Sequence, residues 1–573
     1  RCRRYKRSTF TTFRQIGVLT MRFTADFETT TDPNDCRVWA WGLCLIDDID
    51  IFYYGTTIDS FMDFLKEHNE ITHLYFHNLK FDSEFIIYWL YHHNFKYVKD
   101  KRDVVCKSFS TLISDKGQFF SMEIGITMQR TVKIFDSLKV LPFSIAKIAD
   151  AFHLPFSKLE IDYNAYRAPD HKLKDEEIKY IRGDVTIAAL ALKQLFSQNM
   201  KKMTTASNAM AEYREIVGES TFNKWYPVPV YDADIRQSYR GGFTYLAERY
   251  ADKDIKEGIV LDVNSLYPSV MYYSPLPFGE GIYFEGKYEQ DKEYNLYTQT
   301  FSCMFELKEG YIPTVQIKGS LAFVPTEYLK SSGDEYVTMT MTNVDLEMFL
   351  EHYEVYDIDY HCGWKFKSTT GLFKDYIDKW NGVKVQATIE KNGGLRTIAK
   401  LMLNSLYGKF ALNPKVASKI PYLGEDDVIH YYVTDIEERE PIYIPVGTFI
   451  TAWARHKTIT SAQSVYDRFI YADTDSLHLE GLEEPKGLEI SDTKLGAWKK
   501  ESVFTRARFL RQKSYMEEID GKLKITCAGM PPACYPYVTW DNFHIGATYP
   551  FRLRPMHTQG GIVLVNAPFT IRK

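Results

Sequence analysis

The residues of this sequence that can do chemistry are mainly acidic, and they fall into two sets far apart in the chain. In the first set, Asp26 and Glu28 stand two apart in a segment that alternates as a β-strand. Their carboxylates point to one face of such a strand, as a pair of divalent cations requires. Asp82, at a strand-to-helix junction, and Asp184, in a helical segment, can converge on the same cations. The alternative is a solvated pair of acids, because such triplets arise by chance.

Two further side chains accompany the first set. Tyr180 lies one helical turn before Asp184, and Asn78 adds an amide near Asp82. Two cations held by such a set can turn water into hydroxide and stabilise the leaving oxygen of a phosphodiester. Tyr180 can orient that water, or it can simply pack at a domain edge, and the spacing does not separate these alternatives.

The second acidic set joins a strand end to a distant turn. Asp262 ends the apolar segment GIVLDV, and Asp473 and Asp475 flank Thr474 where two predicted strands meet. A carboxylate at the end of a buried strand is costly unless a cation or a hydrogen-bond partner compensates it. The alternative for residues 473–475 is ordinary turn chemistry, in which Asp and Thr are favoured.

A predicted helix carries Arg396, Lys400, Asn404 and Tyr407 at offsets 0, 4, 8 and 11, which places all four on one face. A stripe of cations that ends in an aromatic ring suits a triphosphate with a base stacked beyond it. Gly408 would let the backbone approach a base pair closely. A solvated helix face explains the cations but leaves Asn404 and the Tyr-Gly pair unexplained.

The elements that must position these residues are legible from apolar periodicity. The first α/β unit has predicted strands at residues 22–27, 36–46 and 74–76 and helices at 81–91 and 175–196, with a boundary in the polar stretch 200–212. Beyond it we predict a strand at 258–263, a helix at 397–410, two strands within 468–479, and turns with short strands over 527–573. Lys513 and Tyr515, two apart in a predicted strand, either contact phosphate or form an exposed strand face.

Composition excludes several classes of protein. The 573 residues are 45% apolar and 25% charged, as in a globular protein, and the net charge is −5. Twelve basic and five acidic residues after position 498 give +7 locally, so the remainder carries −12. The eight cysteines form no CxxC pair, which argues against disulfides or structural zinc, and no apolar run is long enough to span a membrane.

Taken together, the motifs resemble those of the B-family DNA polymerases, specifically the protein-primed polymerases of small Bacillus phages (the phi-twenty-nine type). Eight motifs occur in the family's order between residues 21 and 573. They are DFETT (26–30), YFHNLKFD (75–82), YIRGD (180–184), YRGGF (239–243), DVNSLYP (262–268), KLMLNSLYGKF (400–410), YADTD (471–475) and KSY (513–515). The chain departs from the family pattern at Arg396, where a lysine is usual, and at PPACYPY (531–537), which replaces a charged stretch.

The resemblance implies a multidomain fold of α/β and α+β type, in which an RNase H-like 3′–5′ exonuclease precedes a right-hand polymerase. Residues 1–20 carry six Arg/Lys and no acid, have no counterpart in the family, and are predicted to be a basic extension, non-native or disordered. The implied order beyond them is the exonuclease (21–203), the first part of the palm (204–273), a first terminal-protein-region insertion (274–371), the fingers (372–411), a second such insertion (412–444), the second part of the palm (445–526) and the thumb (527–573).

The resemblance also implies roles for individual residues. In the exonuclease, the metal ligands would be Asp26, Glu28, Asp82 and Asp184, the catalytic auxiliaries Tyr180 and Lys158, and the single-strand contacts Thr29, His77, Asn78, Phe81, Ser137 and Leu138. In the polymerase, the metal ligands would be Asp262, Asp475 and the Val263 carbonyl, with Asp473 nearby, and the nucleotide contacts Tyr267, Lys384, Arg396, Lys400, Asn404, Tyr407 and Gly408. The template and primer contacts would be Tyr239, Arg240, Gly241, Gly242, Lys513 and Tyr515.

The activity implied is that of a DNA-dependent DNA polymerase with 3′–5′ proofreading, protein-primed initiation and processive strand displacement on a linear phage genome. Implied cofactors are two Mg²⁺ ions per active site, with Mn²⁺ as a substitute. Implied partners are primer-template DNA, dNTPs, a terminal protein and a viral single-stranded DNA-binding protein. The protein itself would be a monomer that acts in the cytoplasm of an infected bacterium. The alternatives are a 3′–5′ exonuclease whose C-terminal half only binds DNA, and a non-catalytic replication scaffold.

Overall fold

The computed structural model describes residues 3–4, 21–316 and 328–572. Its largest sheet has nine strands, which in spatial order are Arg3–Arg4, Phe52–Gly55, Val38–Leu45, Met21–Thr29, Ile71–Phe76, Arg130–Asp136, Phe119–Thr127, Ser108–Ile113 and Lys96–Tyr97. Three neighbouring strands, Met21–Thr29, Ile71–Phe76 and Arg130–Asp136, run parallel. Their carboxyl ends therefore meet at one edge of the sheet, where ligands bind in open α/β folds. Apart from the backbone of residues 3–4, the predicted extension 1–20 lies outside the described residues.

Helices cover this sheet at Ile58–Glu67, Leu79–His92, Ile145–Ala151 and Asp175–Ser197. The last of these packs on the central strand, and the Thr24 hydroxyl donates a 2.7 Å hydrogen bond to the Val185 carbonyl. Its apolar residues, such as Ile181 and Leu192, are fully buried. The strand and helix predictions for the first unit are confirmed to within a few residues.

The second half is built on a five-stranded antiparallel sheet. In spatial order its strands are Thr244–Leu246, Phe469–Asp473, Ser476–Glu480, Gly258–Val263 and Trp498–Phe504. This order confirms the predicted strand at 258–263 and the two predicted strands within 468–479. It also places the end of Gly258–Val263 beside residues 473–475, because Asp262 pairs with Ser476.

Smaller sheets and helices surround that sheet. Two four-stranded sheets comprise Asp254–Ile255, Arg506–Arg511, Ser514–Ile519 and Lys522–Cys527, and Leu276–Glu285, Tyr353–Thr369, Leu296–Leu307 and Val337–Thr342. Paired strands are Val315–Gln316 with Tyr328–Leu329, Lys415–Val416 with Glu437–Glu438, Lys419–Leu423 with Ile429–Val433, and Thr548–Thr558 with Gly561–Thr570. The helices are Thr205–Val217, Glu219–Trp225, Asp232–Arg236, Leu266–Tyr273, Asn343–His352, Lys374–Ile389, Gly393–Ser405, Tyr407–Phe410 and Ile444–Ser464.

The helix predicted over 397–410 is confirmed except at Leu406, whereas the short strands predicted at the end of the chain are wrong. At Leu406 the helix breaks into Gly393–Ser405 and Tyr407–Phe410. The Tyr376 hydroxyl donates to the Met402 carbonyl, which competes for the acceptor that would continue the helix. The terminal segment contains a hairpin with strands of 11 and 10 residues rather than only short strands, because its first strand is exposed on both faces and has no one-sided apolar pattern to detect.

One apolar core joins the two halves of the chain. It includes Trp39 and Ile181 from the first unit together with Leu261 and Phe449 from the second. The polar stretch predicted as a boundary contains most of the helix Thr205–Val217, whose apolar face contributes to the same core. The domain limits given above therefore stay predictions.

The close packing around Gly258 makes a prediction about stability. A Cβ at Gly258 would lie 2.2 Å from both the Leu479 carbonyl oxygen and the Phe504 ring. We expect Gly258→Ala to lower the free energy of unfolding by about 1–3 kcal/mol through overpacking, visible as a lower Tm. Gly382→Ala is the control, because that exposed helical position has nothing within 4 Å and alanine should stabilise it by about 0.5–1 kcal/mol. Equal Tm values for the two variants would contradict the packing.

Candidate active sites

Three acidic residues of the first set meet at the carboxyl edge of the large sheet. Asp26 and Glu28 on the central strand and Asp184 on the helix Asp175–Ser197 each offer an oxygen within 4.8 Å of the others. The Asp184 Oδ1 atom is buried and has no hydrogen-bond partner. A buried unpaired carboxylate oxygen beside two other carboxylates is the arrangement that a divalent cation satisfies, so these residues fit a metal.

The carboxylates of this cluster repel one another, and this repulsion and their burial raise their pKa values. Burial, followed by the charge of Asp184, raises the pKa of Asp26 to about 7. Burial, followed by the charge of Asp26, raises the pKa values of Glu28 and Asp82 well above their ordinary range. Asp82 lies in the first turn of Leu79–His92. The charges of Asp26 and Glu28 act on it, but it is not one of the three acids that converge within 4.8 Å. A bound cation would relieve the repulsion.

Lys158 and Tyr180 approach the same cluster. The Lys158 Nζ atom lies 2.9 Å from Asp184 Oδ2, and its role as a catalytic auxiliary stays a prediction. The Tyr180 ring is buried, and its hydroxyl lies 2.5 Å from the Tyr163 hydroxyl. Tyr163 follows no recognisable pattern in the sequence and was not predicted.

The predicted single-strand contacts surround the carboxyl ends of two parallel strands. The buried carboxylate of Asp136 accepts hydrogen bonds of 3.0 Å from the backbone N–H groups of Asn78 and Leu138. His77 lies 2.9 Å from the Ser137 hydroxyl, and that hydroxyl also donates to the Phe76 carbonyl. Ser137 therefore supports His77 from the interior. Two further predicted contacts, Thr29 and Phe81, are partly exposed at this edge.

In the five-stranded sheet, Asp262 and Asp475 approach across a strand pair. The Val263 N–H donates a 2.8 Å hydrogen bond to the Asp475 carbonyl. Burial, followed by the charge of Asp475, raises the pKa of Asp262 to about 7, and Glu501 raises it further while Lys400 opposes it. A bound cation would relieve the repulsion between these two carboxylates, and the Val263 carbonyl stays a predicted ligand. Within the described ranges only the first cluster brings three acidic side chains together.

Asp473 has a different partner. Both of its carboxylate oxygens lie 2.9 Å from Lys513 Nζ, and the Tyr471 hydroxyl donates to it at 3.3 Å. The predicted strand geometry at 513–515 is wrong, because Lys513 adopts a left-handed turn conformation with φ of 54°. Tyr515 is buried and stacks on Phe509 at 4.8 Å, because its ring packs in an apolar cluster with Tyr471 and Phe504.

Three cations lie together near Asp262 and Asp475. Lys384 comes from Lys374–Ile389, and Arg396 and Lys400 come from Gly393–Ser405. Burial, followed by the charges of Arg396 and Lys400, lowers the pKa of Lys384. In the part of the chain that the structure describes, no carboxylate lies within 4.0 Å of these three charged groups. An uncompensated cluster of this kind suits a polyanion.

Next to these cations, Tyr267 and Tyr407 stack face to face with ring centroids 4.0 Å apart and planes at 17°. Asn404 is exposed one turn before Tyr407, and a Cβ at Gly408 would meet nothing within 4 Å. The predicted common face therefore survives the helix break at Leu406. The surface can present a flat aromatic and an open backbone to a nucleotide.

The loop of residues 239–242 borders the same site. A Cβ at Gly242 would lie 2.7 Å from the Thr474 hydroxyl, whereas Gly241 faces open space. The Thr474 N–H donates a 2.7 Å hydrogen bond to the Phe243 carbonyl. Arg240 donates to the Gln237 carbonyl at 2.6 Å, and Tyr239 is partly buried.

A model of the family "DNA polymerase type B, organellar and viral" matches residues 65–171 and 160–493. The chain belongs to the type B DNA polymerases. The DNA polymerase of Bacillus phage B103 is 47% identical, with 96% of this chain and 99% of the relative covered. The DNA polymerase of Bacillus phage phi29 is 45% identical with the same coverage.

Solved structures agree with that membership. The phi29 DNA polymerase complexed with primer-template DNA and incoming nucleotide substrates has a TM-score of 0.91 and 44% identity, with 97% of this chain and 100% of that chain covered. The predicted family and the predicted fold class are therefore confirmed, and membership of the type B polymerases implies the use of divalent metal. Among the described residues, no helix is long and apolar enough to cross a membrane.

Several residues of the two sites were missed by sequence reasoning. Asp136 ends a strand parallel to the one before His77, and a polar residue at that register was a usable signal. The charge of Glu501 raises the pKa of Asp262 and that of Lys499 lowers it, but nothing in their local sequence distinguishes these two residues from other charged ones. Arg455 is the first charged residue after the uncharged segment 441–454, which was a signal that a buried partner exists.

Replacing one predicted metal ligand tests the first cluster. We expect Asp26→Asn to weaken the binding of Mn²⁺ at that cluster by about tenfold or more, because one of three converging ligands becomes neutral. Calorimetric titration of the EDTA-stripped protein measures this change. Asp63→Asn, on an exposed helix face, is the control. Unchanged Mn²⁺ binding by Asp26→Asn would remove Asp26 from the ligand set.

Proposed function

We propose that this type B DNA polymerase builds DNA at the Asp262–Asp475 site and removes nucleotides from a 3′ end at the Asp26–Glu28–Asp184 site. The observation that carries the proposal is the presence of two separate carboxylate clusters, of which only the second faces uncompensated cations. Cations suit a triphosphate substrate, whereas a cluster of three acids with one lysine suits hydrolysis of a phosphodiester.

At the synthetic site, the 3′-hydroxyl of the primer attacks the α-phosphorus of a dNTP and pyrophosphate leaves. Lys384, Arg396 and Lys400 hold the triphosphate and neutralise the charge that develops on the leaving group. Tyr267 lies beneath the sugar on its stacked partner Tyr407, where a 2′-hydroxyl would collide. Divalent metal held by Asp262, Asp475 and the Val263 carbonyl, which we propose to be Mg²⁺ with Mn²⁺ as a substitute, would lower the pKa of the attacking hydroxyl.

At the degradative site, water replaces the hydroxyl nucleophile. Lys158, already paired with Asp184, is placed to compensate negative charge, and the Tyr180 hydroxyl can orient the water. The edge formed by His77 and Asn78, held by Asp136 and Ser137, receives the single-stranded end. Metal held by Asp26, Glu28 and Asp184 would supply hydroxide and stabilise the leaving oxygen.

The partners and the mode of initiation extend this proposal. We infer that the chain, as a monomer, binds primer-template DNA and dNTPs, and that initiation uses a hydroxyl of a terminal protein. Residues 274–371 and 412–444 would bind that protein and wrap DNA for strand displacement, with a viral single-stranded DNA-binding protein on the displaced strand. The support is similarity to the phage polymerases, which also favours action in the cytoplasm of an infected bacterium.

Asp475→Asn tests whether the two sites are separate. The variant should lose dNTP incorporation by about 10³-fold or more, because a metal ligand of the synthetic site is neutralised, and should still degrade single-stranded DNA from its 3′ end. Asp26→Asn should show the reverse pattern, and the exposed Asp467→Asn is the control. Loss of both activities in Asp475→Asn would contradict the two-site assignment, and undiminished incorporation would remove Asp475 from the synthetic site. A wild-type protein that degrades DNA but incorporates no dNTP would favour a C-terminal half that only binds DNA.

Tyr267→Val tests the contact with the sugar. Removing the ring should raise the ratio of kcat/KM for ribonucleotides over deoxyribonucleotides by about 10²-fold, since rejection of one hydroxyl by steric contact is worth a few kcal/mol. Single-nucleotide insertion kinetics measure the ratio. Tyr267→Phe keeps the ring and should retain discrimination. Sugar selection that survives in Tyr267→Val would exclude this role.

A further inference from the structure

A cleft that neither proposed reaction uses lies on one face of the nine-stranded sheet. Its floor comes from the three parallel strands of that sheet. Side by side across these strands stand Arg22, His73 and Lys133, and two residues further along stand Tyr75 and Phe135. Residues two apart in a strand share a face, so a row of nitrogen-containing side chains lies next to a row of aromatic rings.

Contacts between the side chains confirm that the two rows adjoin. The rings of His73 and Phe135 lie parallel to within 15° with centroids 5.8 Å apart, and the rings of Tyr75 and Phe135 lie 5.4 Å apart. Burial, followed by the charges of Lys133 and Arg22, lowers the pKa of His73. All three rings are partly exposed, which leaves aromatic surface open to a ligand.

The end of the helix Asp175–Ser197 and the segment that follows it complete the cleft. The guanidinium carbon of Arg22 lies 4.4 Å from the centroid of the Phe196 ring. Lys201 and Lys202 also line the cleft, and both are exposed. Over residues 21–316 and 328–572, neither lysine has a carboxylate within 4.0 Å. The cleft therefore combines aromatic walls with positive charge.

The acids near the cleft do not cancel that charge. Asp136 lines the cleft, but its carboxylate is buried and accepts hydrogen bonds from the backbone N–H groups of Asn78 and Leu138. Arg22 lies 3.4 Å from Asp47, whose side chain is exposed, and such surface pairs are weak. An anion can therefore bind at the Arg22 guanidinium.

The spacing of the two rows matches one class of ligand. Two residues along a strand span about 6.6 Å, which is close to the separation of the 5′-phosphate from the base in a nucleotide. Cations suit the phosphate, and open aromatic faces suit the base. The cleft encloses about 230 Å³, which suits one nucleotide and not a duplex.

We propose that this cleft is a separate binding site for a 5′-phosphorylated nucleotide, whose phosphate contacts Arg22 and Lys202 and whose base stacks on Phe135. The nucleotide has two sources, a free monophosphate or a residue within a single strand. The second source is open because Tyr75 lies two residues before His77 on the same strand face, beside the proposed single-strand edge. The site contains none of the acids of the two carboxylate clusters.

Photo-crosslinking with 8-azido-2′-deoxyadenosine 5′-monophosphate tests the site on the full chain in EDTA. Labelled peptides, located by mass spectrometry, should contain residues 73–75 or 135. Arg22→Gln should raise the concentration for half-maximal labelling of these peptides about tenfold, because a charge-assisted contact is lost. Arg214→Gln is the matched control and should change nothing, since that arginine also lies over a phenylalanine ring, at 4.3 Å, and pairs with an exposed acid.

Further variants separate the phosphate from the base. Phe135→Leu should weaken labelling by the monophosphate and by the unphosphorylated nucleoside, whereas Arg22→Gln should affect the monophosphate alone. Lys202→Glu, at an exposed position outside the sheet, should repeat the effect of Arg22→Gln without lowering Tm.

Competition identifies the source of the nucleotide. A 5′-phosphorylated pentathymidylate that competes better than dTMP indicates a residue within a strand, and one that competes no better indicates a free monophosphate. The proposal would be overturned if labelling missed the peptides of the cleft, or if Arg22→Gln and Lys202→Glu left the half-maximal concentration unchanged.

Discussion

Repulsion between buried carboxylates is the constraint on which the rest of the structure depends. Each site gathers acids whose pKa values rise through burial and mutual charge, as with the shift of Asp26 to about 7 and of Asp262 to about 7. Such groups destabilise a fold unless cations compensate them. The parallel strands of the first sheet and the paired strands of the second supply the rigidity that keeps the acids together despite this cost.

The two sites differ in how the negative charge of their carboxylates is compensated. In the first, Lys158 pairs directly with Asp184, so part of the compensation is built into the protein. In the second, Lys400 and Lys499 act on Asp262 only at a distance, and Lys400 lies in one cluster with Lys384 and Arg396. In that cluster, burial followed by the charges of Arg396 and Lys400 lowers the pKa of Lys384, so a bound polyanion would stabilise all three cations. The difference follows from the substrates proposed for the two sites.

The sequence predicted most of what depends on local pattern and on motif order. The family, the fold class, the strand at 258–263 and the convergence of Asp26, Glu28 and Asp184 all followed from periodicity and resemblance. It did not predict the break at Leu406, because the hydroxyl that competes for the Met402 carbonyl comes from another helix. The true conformation of Lys513 and the burial of Tyr515 were missed for the same reason. A tight turn between two paired strands sets the first, and packing with residues distant in sequence sets the second.

Dependence on tertiary packing also explains why the ion pair of Arg455 with Asp345 is harder to predict from the sequence than the acidic clusters. The spacing of Asp26 and Glu28 identifies them in the sequence, whereas Arg455 and Asp345 are 110 positions apart and come into contact only through tertiary packing. The helix that carries Arg455 belongs to the core shared by both halves of the chain. Large apolar interfaces oppose relative motion of domains. Under the proposed two-site function, a strand end therefore moves between the sites across a protein whose two halves share one apolar core.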